Sequence, residues 1–193
     1  QLPGEISCPG LFRRKTADAA ARDIYVRLVE QARLPAFYTS FGVADTVEGR
    51  FDLLVLHVFL VLHRLKDEGE AAAARGQAVF DIFFADMDDS LRELGVGDLA
   101  VPKRIKKMAQ GFYGRTAAYD AALVAGDDAA LAEAIGRNVH GGHGSGEETA
   151  ALARYARAAS ASLAGQPLEA VLAGRFDLPD PDAFAPAGPG ETE

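Results

Sequence analysis

Apolar residues recur at intervals of three and four along most of this chain, which is the spacing of one face of an α-helix. No segment stands out with the strict alternation of a β-strand, and alanine is abundant. The pattern predicts an all-α protein, a single helical bundle of about six to seven helices. We expect long helices over residues 16–34, 45–66, 70–94, 102–125, 127–139 and 145–164, one or two turns within 37–43, and a short helix over 168–173.

Polar residues with capping potential stand at the predicted starts of three helices. Thr16 is expected to cap the first helix. Asp45 with Glu48, and Ser145 with Glu148, have the spacing of a capping box, in which each side chain bonds the backbone of the other residue. These signals predict helix starts at residues 45 and 145.

Glycines inside the fourth long helix suggest a close contact. Gly111 and Gly114 share a stripe of small residues with Ala118 and Ala122. A helical glycine is roughly 1 kcal/mol less favourable than alanine, so the pair requires a compensating reason. We expect another backbone to approach this stripe closely.

Composition divides the chain into three parts. Residues 1–15 form an N-terminal extension, residues 16–175 an all-α domain, and residues 176–193 a flexible tail. The tail is rich in proline and glycine from Leu178 onward, which is typical of disorder. The glycine-rich stretch at residues 140–146 is expected to be a flexible connector.

The longest apolar run, residues 53–62, contains His57. A membrane-spanning helix needs roughly 20 apolar residues, and this run has about half that number. It is therefore interpreted as a helix at the centre of the bundle. His57 is expected to be a core histidine with one ring nitrogen hydrogen-bonded.

Total charge and cysteine usage narrow the function classes. The 193-residue chain has a net charge of −8, which argues against a protein that coats nucleic acid with its whole surface, so no DNA partner is expected. A single cysteine, Cys8, excludes an intramolecular disulfide framework and fits a reducing compartment. A cytoplasmic location is predicted.

Charge is unevenly distributed between residues 84 and 119. A helix end with Asp86, Asp88 and Asp89 is followed by a glycine loop and a helix that begins with basic turns. The short loop predicts antiparallel neighbouring helices, with the acidic and basic turns side by side. Acids at a C-terminus and bases at an N-terminus oppose both helix dipoles, so a partner surface explains them better than helix stability does. The basic residues are Lys103, Arg104, Lys106, Lys107 and Arg115.

Side chains suited to catalysis or metal binding are few. His140 and His143 lie near Glu147 and Glu148, but flexible glycines do not preorganise ligands and the spacing matches no standard zinc motif. Glycine-rich phosphate loops and the G-x-S-x-G motif are missing from the sequence. We therefore expect no catalytic residue, no metal and no cofactor.

Two other functions remain open. Asp86, Asp88 and Asp89 are similar to the aspartate-rich helix ends of all-α isoprenoid enzymes, where clustered carboxylates hold magnesium or supply a proton. The basic helix could instead make the chain an RNA-binding or ribosome-binding module.

Two stretches carry a family resemblance, FYTSFGVADTVEGRFDLLVLHVFLVLHRLK and FFADMDDSLRELGVGDLAVPKRIKKMAQGFYGRTAAYDAAL. They combine a leucine-rich helix with an internal histidine, an acidic F-x-D-M-D helix, a G-V-G loop, a basic V-P-K segment and F-Y-G-R. Over residues 36–124 the chain resembles the ubiquinol–cytochrome c chaperone family. The form of the motifs is typical of an α-proteobacterial member.

The resemblance implies a non-enzymatic assembly factor of the respiratory ubiquinol–cytochrome c reductase. Mitochondrial members of the family bind newly made cytochrome b and work with a small partner protein near the ribosomal exit. The implied client is cytochrome b or another subunit of the complex, with a small partner protein or the ribosome as further contacts. The implied location is peripheral, at the inner face of the cytoplasmic membrane.

Client capture is expected on the third and fourth long helices. Lysines and arginine would meet client carboxylates or anionic lipid headgroups, and Phe112, Tyr113 and Tyr119 would supply apolar contact. Phe112 and Tyr119 could instead belong to the core, and Arg115 could pair with Asp86 or Asp120. The expected partner-binding residues are Asp86, Asp88, Asp89, Lys103, Lys106, Lys107, Phe112, Tyr113, Arg115 and Tyr119.

Overall fold

The computed structural model describes residues 19–186, which fold into helices joined by loops, without a strand. Six long helices form the bundle, and α2 and α8 are short. The elements are α1 (Ala19–Ala32), α2 (Ala36–Thr39), α3 (Val47–Leu65), α4 (Glu70–Glu93), α5 (Val101–Ala125), α6 (Asp128–Asn138), α7 (Gly146–Gly165), α8 (Leu168–Leu172) and a 3-10 helix (Pro181–Phe184). The predicted all-α bundle is confirmed.

Helix α3 is the centre of the bundle. Every residue from 53 to 61 is buried, and the helix packs against α1, α4, α5 and α7. A helix that is apolar on all sides is stable only when neighbours cover it on all sides. The prediction of a buried central helix is confirmed, and none of the helices within residues 19–186 combines the length and apolarity needed to cross a membrane.

The histidine inside α3 is more fully satisfied than expected. Its Nδ1 donates to the Leu53 carbonyl oxygen at 2.8 Å, and its Nε2 accepts from the Tyr155 hydroxyl at 2.9 Å. Both ring nitrogens of His57 are therefore bonded, not one, because α7 places Tyr155 beside it. Burial lowers the pKa of His57 to about 4, which keeps the ring neutral.

Arg115 and Asp120 of α5 form polar contacts with α3 and with Lys66, the residue that follows it. Arg115 pairs with Asp52, so its partner is neither of the two aspartates proposed from the sequence. Asp120 instead accepts from His63 Nδ1 at 2.8 Å and from Lys66 Nζ at 3.0 Å. Partial burial acts to raise the pKa of Asp120, but the bonds to Lys66 and His63 outweigh it and hold that pKa below its ordinary value.

Helices α4 and α5 are antiparallel neighbours, as the short loop between them predicts. Aromatic rings hold them together: Phe112 of α5 contacts Phe80, Phe83 and Phe84 of α4, with ring centroids 5.4 to 6.0 Å apart. The stripe of Gly111 and Gly114 has a different environment from the one expected. A Cβ atom at either glycine would meet nothing within 4 Å, so no backbone of residues 19–186 approaches there.

One predicted capping box is present and the other is not. The Ser145 hydroxyl accepts from the Glu148 amide and the Glu148 carboxylate accepts from the Ser145 amide. At α3, however, the cap is Thr46, whose hydroxyl accepts from the Gly49 amide at 3.1 Å. Asp45 pairs with Arg50 instead. Thr16 lies outside the described residues, as do the whole N-terminal extension, residues 1–15, and residues 187–193 of the tail.

The loop at residues 140–146 is tied to the core and does not act as a free connector. His140 is buried; its Nε2 donates to the Phe41 carbonyl oxygen at 2.8 Å, and its Nδ1 accepts from the Thr149 hydroxyl at 3.0 Å. The disorder expected from Leu178 onward is also wrong for residues 178–186. This segment packs on α1, α2 and α7, with Pro181 buried and the Phe184 ring 6.1 Å from that of Tyr155.

Candidate partner-binding surface

The acidic and basic turns lie at one end of the bundle, on either side of the loop 94–100. We call the last turns of α4, this loop and the first turns of α5 the α4–α5 edge. Gly95 has a φ of +78° and ends α4 where the sequence predicts. Val101 and Ile105 are buried and anchor the start of α5. The residues between and after them, Lys103, Arg104, Lys106 and Lys107, are exposed on the outer side of the helix.

Two of the three aspartates in the last turns of α4 form contacts within the bundle. Asp86 accepts a 2.6 Å hydrogen bond from the Tyr25 hydroxyl of α1. Arg92 donates to Asp88 at 2.6 Å and to Asp98 in the loop at 2.5 Å. Burial and the neighbouring Asp86 carboxylate raise the pKa of Tyr25, so its hydroxyl keeps its proton. Of the three aspartates singled out from the sequence, Asp89 alone is exposed without such a contact.

The basic turns of α5 have no such compensation. Lys103, Arg104, Lys106 and Lys107 are exposed, and none of them forms an ion pair with any residue from 19 to 186. The acidic and basic turns share one end of the bundle, but Asp88 and Asp98 pair with Arg92 and not with the lysines. The cations therefore remain available to a partner.

Two exposed leucines in this region were not singled out by the sequence reasoning. Leu94 is 62% exposed and Leu99 is 98% exposed, on the two sides of the glycine loop. A sequence signal for these leucines exists: large apolar side chains occur in a glycine loop beside lysines. Together with the lysines they give the α4–α5 edge an apolar and cationic character.

The aromatic residues expected at this surface belong mostly to the core. Phe112 is 2% exposed and Tyr119 is fully buried, so neither can contact a partner in this conformation. Tyr113 is half-buried against Phe80, with ring centroids 5.9 Å apart. Arg115 is held by Asp52 and lies 5.8 Å above the Phe51 ring. The apolar part of the edge is thus formed by Leu94 and Leu99.

The described part of the chain contains no group of three histidine, cysteine, aspartate or glutamate residues that could hold a metal ion. Asp86 and Asp88 are engaged by Tyr25 and Arg92, and His140 is engaged on both ring nitrogens. A magnesium-binding role for the three aspartates therefore finds no support in their geometry.

A model of the family described as ubiquinol-cytochrome C chaperone matches residues 39–178. The chain belongs to the ubiquinol–cytochrome c chaperone family. The match starts near the N-terminal limit of the resemblance recognised from the sequence and extends beyond its C-terminal limit through α6, α7 and α8. The whole bundle from α3 to α8 is therefore part of the family's common structure.

Curated relatives of the family carry the name ubiquinol-cytochrome c reductase complex assembly factor 1. The Xenopus laevis protein is 27% identical over 120 residues, 62% of this chain and 60% of the relative. The Mus musculus protein is 28% identical over 118 residues, 61% of this chain and 40% of the relative. The chain thus spans less than two thirds of these relatives.

A solved structure of the family extends the comparison to three dimensions. The crystal structure of the Cbp3 homolog from Brucella abortus superposes with a TM-score of 0.80 at 44% identity. The superposition covers 89% of this chain and 96% of that one. The bundle described above is therefore the fold of this relative over nearly its whole length.

Proposed function

We propose that this protein is a non-enzymatic assembly chaperone for ubiquinol–cytochrome c reductase, and that its α4–α5 edge holds newly made cytochrome b. Membership of the chaperone family supports the assembly role. The observation that supports the edge as the site is the set of four exposed cations that form no ion pair with the described part of the chain, next to Leu94 and Leu99.

This combination suits an incompletely assembled membrane-protein client. Exposed apolar side chains can cover apolar segments that are not yet packed, and the lysines can meet carboxylates or lipid headgroups at the ends of such segments. Arg92 keeps Asp88 and Asp98 from competing for the lysines. A peripheral position at the inner face of the membrane belongs to the same proposal, because lysines flanking exposed leucines favour an anionic interface.

Charge reversal tests the proposal. The variant Lys103→Glu, Lys106→Glu, Lys107→Glu should lose most cytochrome b in pull-down from native membranes, while its helical circular dichroism is unchanged. A matched control reverses three exposed arginines elsewhere, Arg22→Glu, Arg33→Glu and Arg154→Glu, with the same change in net charge. Equal pull-down by both variants would contradict the assignment of the edge.

The same cations favour one other partner class, the ribosome or another RNA. Phosphate contacts release counterions, so RNA binding weakens steeply with salt, whereas apolar contacts do not. If RNA binding by the wild type depends steeply on salt, and the double variant Leu94→Ser, Leu99→Ser behaves in the same way, the RNA-binding hypothesis is supported. Loss of client binding in the leucine variant would support the chaperone assignment. A small partner protein would be identified among the proteins that co-purify.

A further inference from the structure

The last segment of the described chain lies across the bundle in an extended conformation. After α8, Gly174 turns the chain with a φ of +72°, so close to α1 that a Cβ atom there would stand 3.0 Å from the Asp23 Cβ atom. Residues 175–180 then run between α1 and α7 to the 3-10 helix Pro181–Phe184. We call residues 174–184 the strap, and the channel between α1 and α7 that holds it the furrow.

The furrow binds the strap mainly through the strap's main chain. The side-chain amide of Gln166 donates to the Asp177 carbonyl oxygen and accepts from the Asp177 amide, both at 2.8 Å. The Ser162 hydroxyl donates to the same carbonyl at 3.3 Å. From α1, Arg27 donates to the Phe176 carbonyl at 3.3 Å and Gln31 donates to the Pro179 carbonyl at 3.0 Å.

Side chains of the strap contribute at alternate positions. Phe176 is buried beneath Arg27, and Leu178 is half-buried against the core. The Asp177 side chain between them is exposed and makes no hydrogen bond with any described residue. Main-chain bonding at one residue with apolar side chains on both sides of it is how extended peptides are recognised, and it leaves the middle residue unspecified.

The strap does not fill the space beside it. One shallow cleft of about 370 Å³ opens between Asp23, Val26 and the turn at Gly174. A second, of about 210 Å³, lies between Glu30, Leu34 and the strap residues Phe176 to Leu178. Because the strap follows the last α-helix, it can leave without unfolding α1 or α7.

We propose that the furrow is a binding site for an extended peptide segment with apolar residues two positions apart, and that the strap is its resident occupant. In a complex, a segment of a partner polypeptide with the same apolar–x–apolar pattern takes its place. The furrow is a second interaction surface, separate from the α4–α5 edge: Tyr25 faces α4 from one side of α1, and Arg27 and Gln31 face the strap from the other.

The test uses the full chain with an opened strap, Phe176→Ser with Leu178→Ser, which leaves every furrow side chain unchanged. The probe is a fluorescent synthetic peptide of residues 173–186, followed by anisotropy. We expect it to bind the opened variant at least tenfold more tightly than wild type, since the intact strap competes. Adding Gln166→Ala should weaken binding about tenfold. Absence of binding to a folded opened variant would overturn the proposal.

Peptide variants separate main-chain recognition from ordinary packing. A peptide N-methylated at Asp177 lacks the donor to Gln166 and should bind about tenfold more weakly, whereas an Asp177→Ala peptide should bind within twofold. A peptide of otherwise scrambled sequence with leucine at both apolar positions should still bind within tenfold. If the scrambled peptide does not bind, the furrow accepts the strap sequence alone. That result would overturn the proposal that a partner segment replaces the strap.

A measurement on the unmodified protein guards against misfolding of the opened variant. Hydrogen exchange of the strap amides should accelerate severalfold in the presence of millimolar leucine-containing peptide, as the strap is displaced. The amides of α3 serve as the internal reference and should be unaffected. Unchanged exchange of the strap would contradict displacement.

Discussion

The centre of α3 and the α4–α5 edge handle polar groups in opposite ways. At the centre, both nitrogens of His57 are bonded, and Tyr155 also accepts from Gln31 at 3.1 Å. At the edge, the lysines form no ion pair within residues 19–186, and Leu99 is almost fully exposed. Buried polar groups must be satisfied for the fold to be stable, whereas unsatisfied exposed groups cost the fold little and are available for binding. The centre therefore stabilises the molecule, and the exposed groups of the edge are the ones that the proposed binding would use.

The largest effect is expected from the centre. Phe59 is buried in α3 with its ring 5.4 Å from that of Tyr119. Phe59→Ala should lower the free energy of unfolding by about 3–5 kcal/mol, because it removes apolar contact and leaves a cavity. Urea denaturation measures the change. The fraction that remains folded should still bind client; loss of binding by the folded fraction would break the division between centre and edge.

A pH effect of about 2–3 kcal/mol should come from His57 alone. Burial lowers the pKa of this imidazole from 6.5 to about 4, so between these values the unfolded chain carries a proton that the native protein lacks. The contribution of this group is complete above pH 6.5 and is lost as the pH falls towards 4. The measurement is the unfolding free energy of wild type minus that of His57→Gln, at pH 7.5 and 4.5. Parallel pH curves for the two proteins would refute the assignment.

A smaller loss, about 2 kcal/mol, is expected at the boundary between the two regions. Burial raises the pKa of Asp52, and Arg115 opposes that shift. Arg115→Leu leaves the Asp52 carboxylate unpaired, so stability falls. The double variant Asp52→Asn, Arg115→Leu should recover most of the lost stability, as measured by thermal unfolding. If Arg115 is structural, client binding by the folded single variant stays near wild type.

The smallest change in stability should occur at the edge. Leu99→Ser removes a side chain that is 98% exposed, so the free energy of unfolding should change by less than about 0.5 kcal/mol. Client pull-down should nevertheless fall severalfold. Val124→Ser, at the other end of α5 and 73% exposed, is the matched control and should leave both quantities unchanged. A large loss of stability in Leu99→Ser would mean that the loop supports the fold.

Features that depend on local chemistry were predictable from the sequence. The apolar run of α3 is sufficient to identify a central helix, and Ser145 reaches its capping partner within one turn. The spacing of Asp45 and Glu48 predicts a cap one residue too early: Thr46 caps α3, and Asp45 pairs with Arg50. Adjacent residues with similar capping strength are difficult to rank without their neighbours.

Features that depend on distant residues were not predictable in the same way. His140 is ordered by the carbonyl of Phe41, 99 positions earlier, and the strap by Gln31 and Gln166. At the edge, the lysines were identified from the sequence, but the pairing of Arg92 with Asp88 and Asp98 was not. That pairing depends on the path of the loop, which brings Asp98 to Arg92. The sequence left Phe112 and Tyr119 open between the core and the partner surface, and their packing against α4 and α3 assigns them to the core.

The cationic turns of α5 in a chain of net charge −8 give the molecule an electric dipole. An anionic partner far away meets repulsion from the whole chain, and at contact it meets attraction from four nearby cations. Added salt screens the long-range repulsion first, because the Debye length is about 30 Å at 0.01 M and about 10 Å at 0.1 M. The association rate of such a partner should therefore rise with salt, pass through a maximum, and then fall as the contact itself is screened.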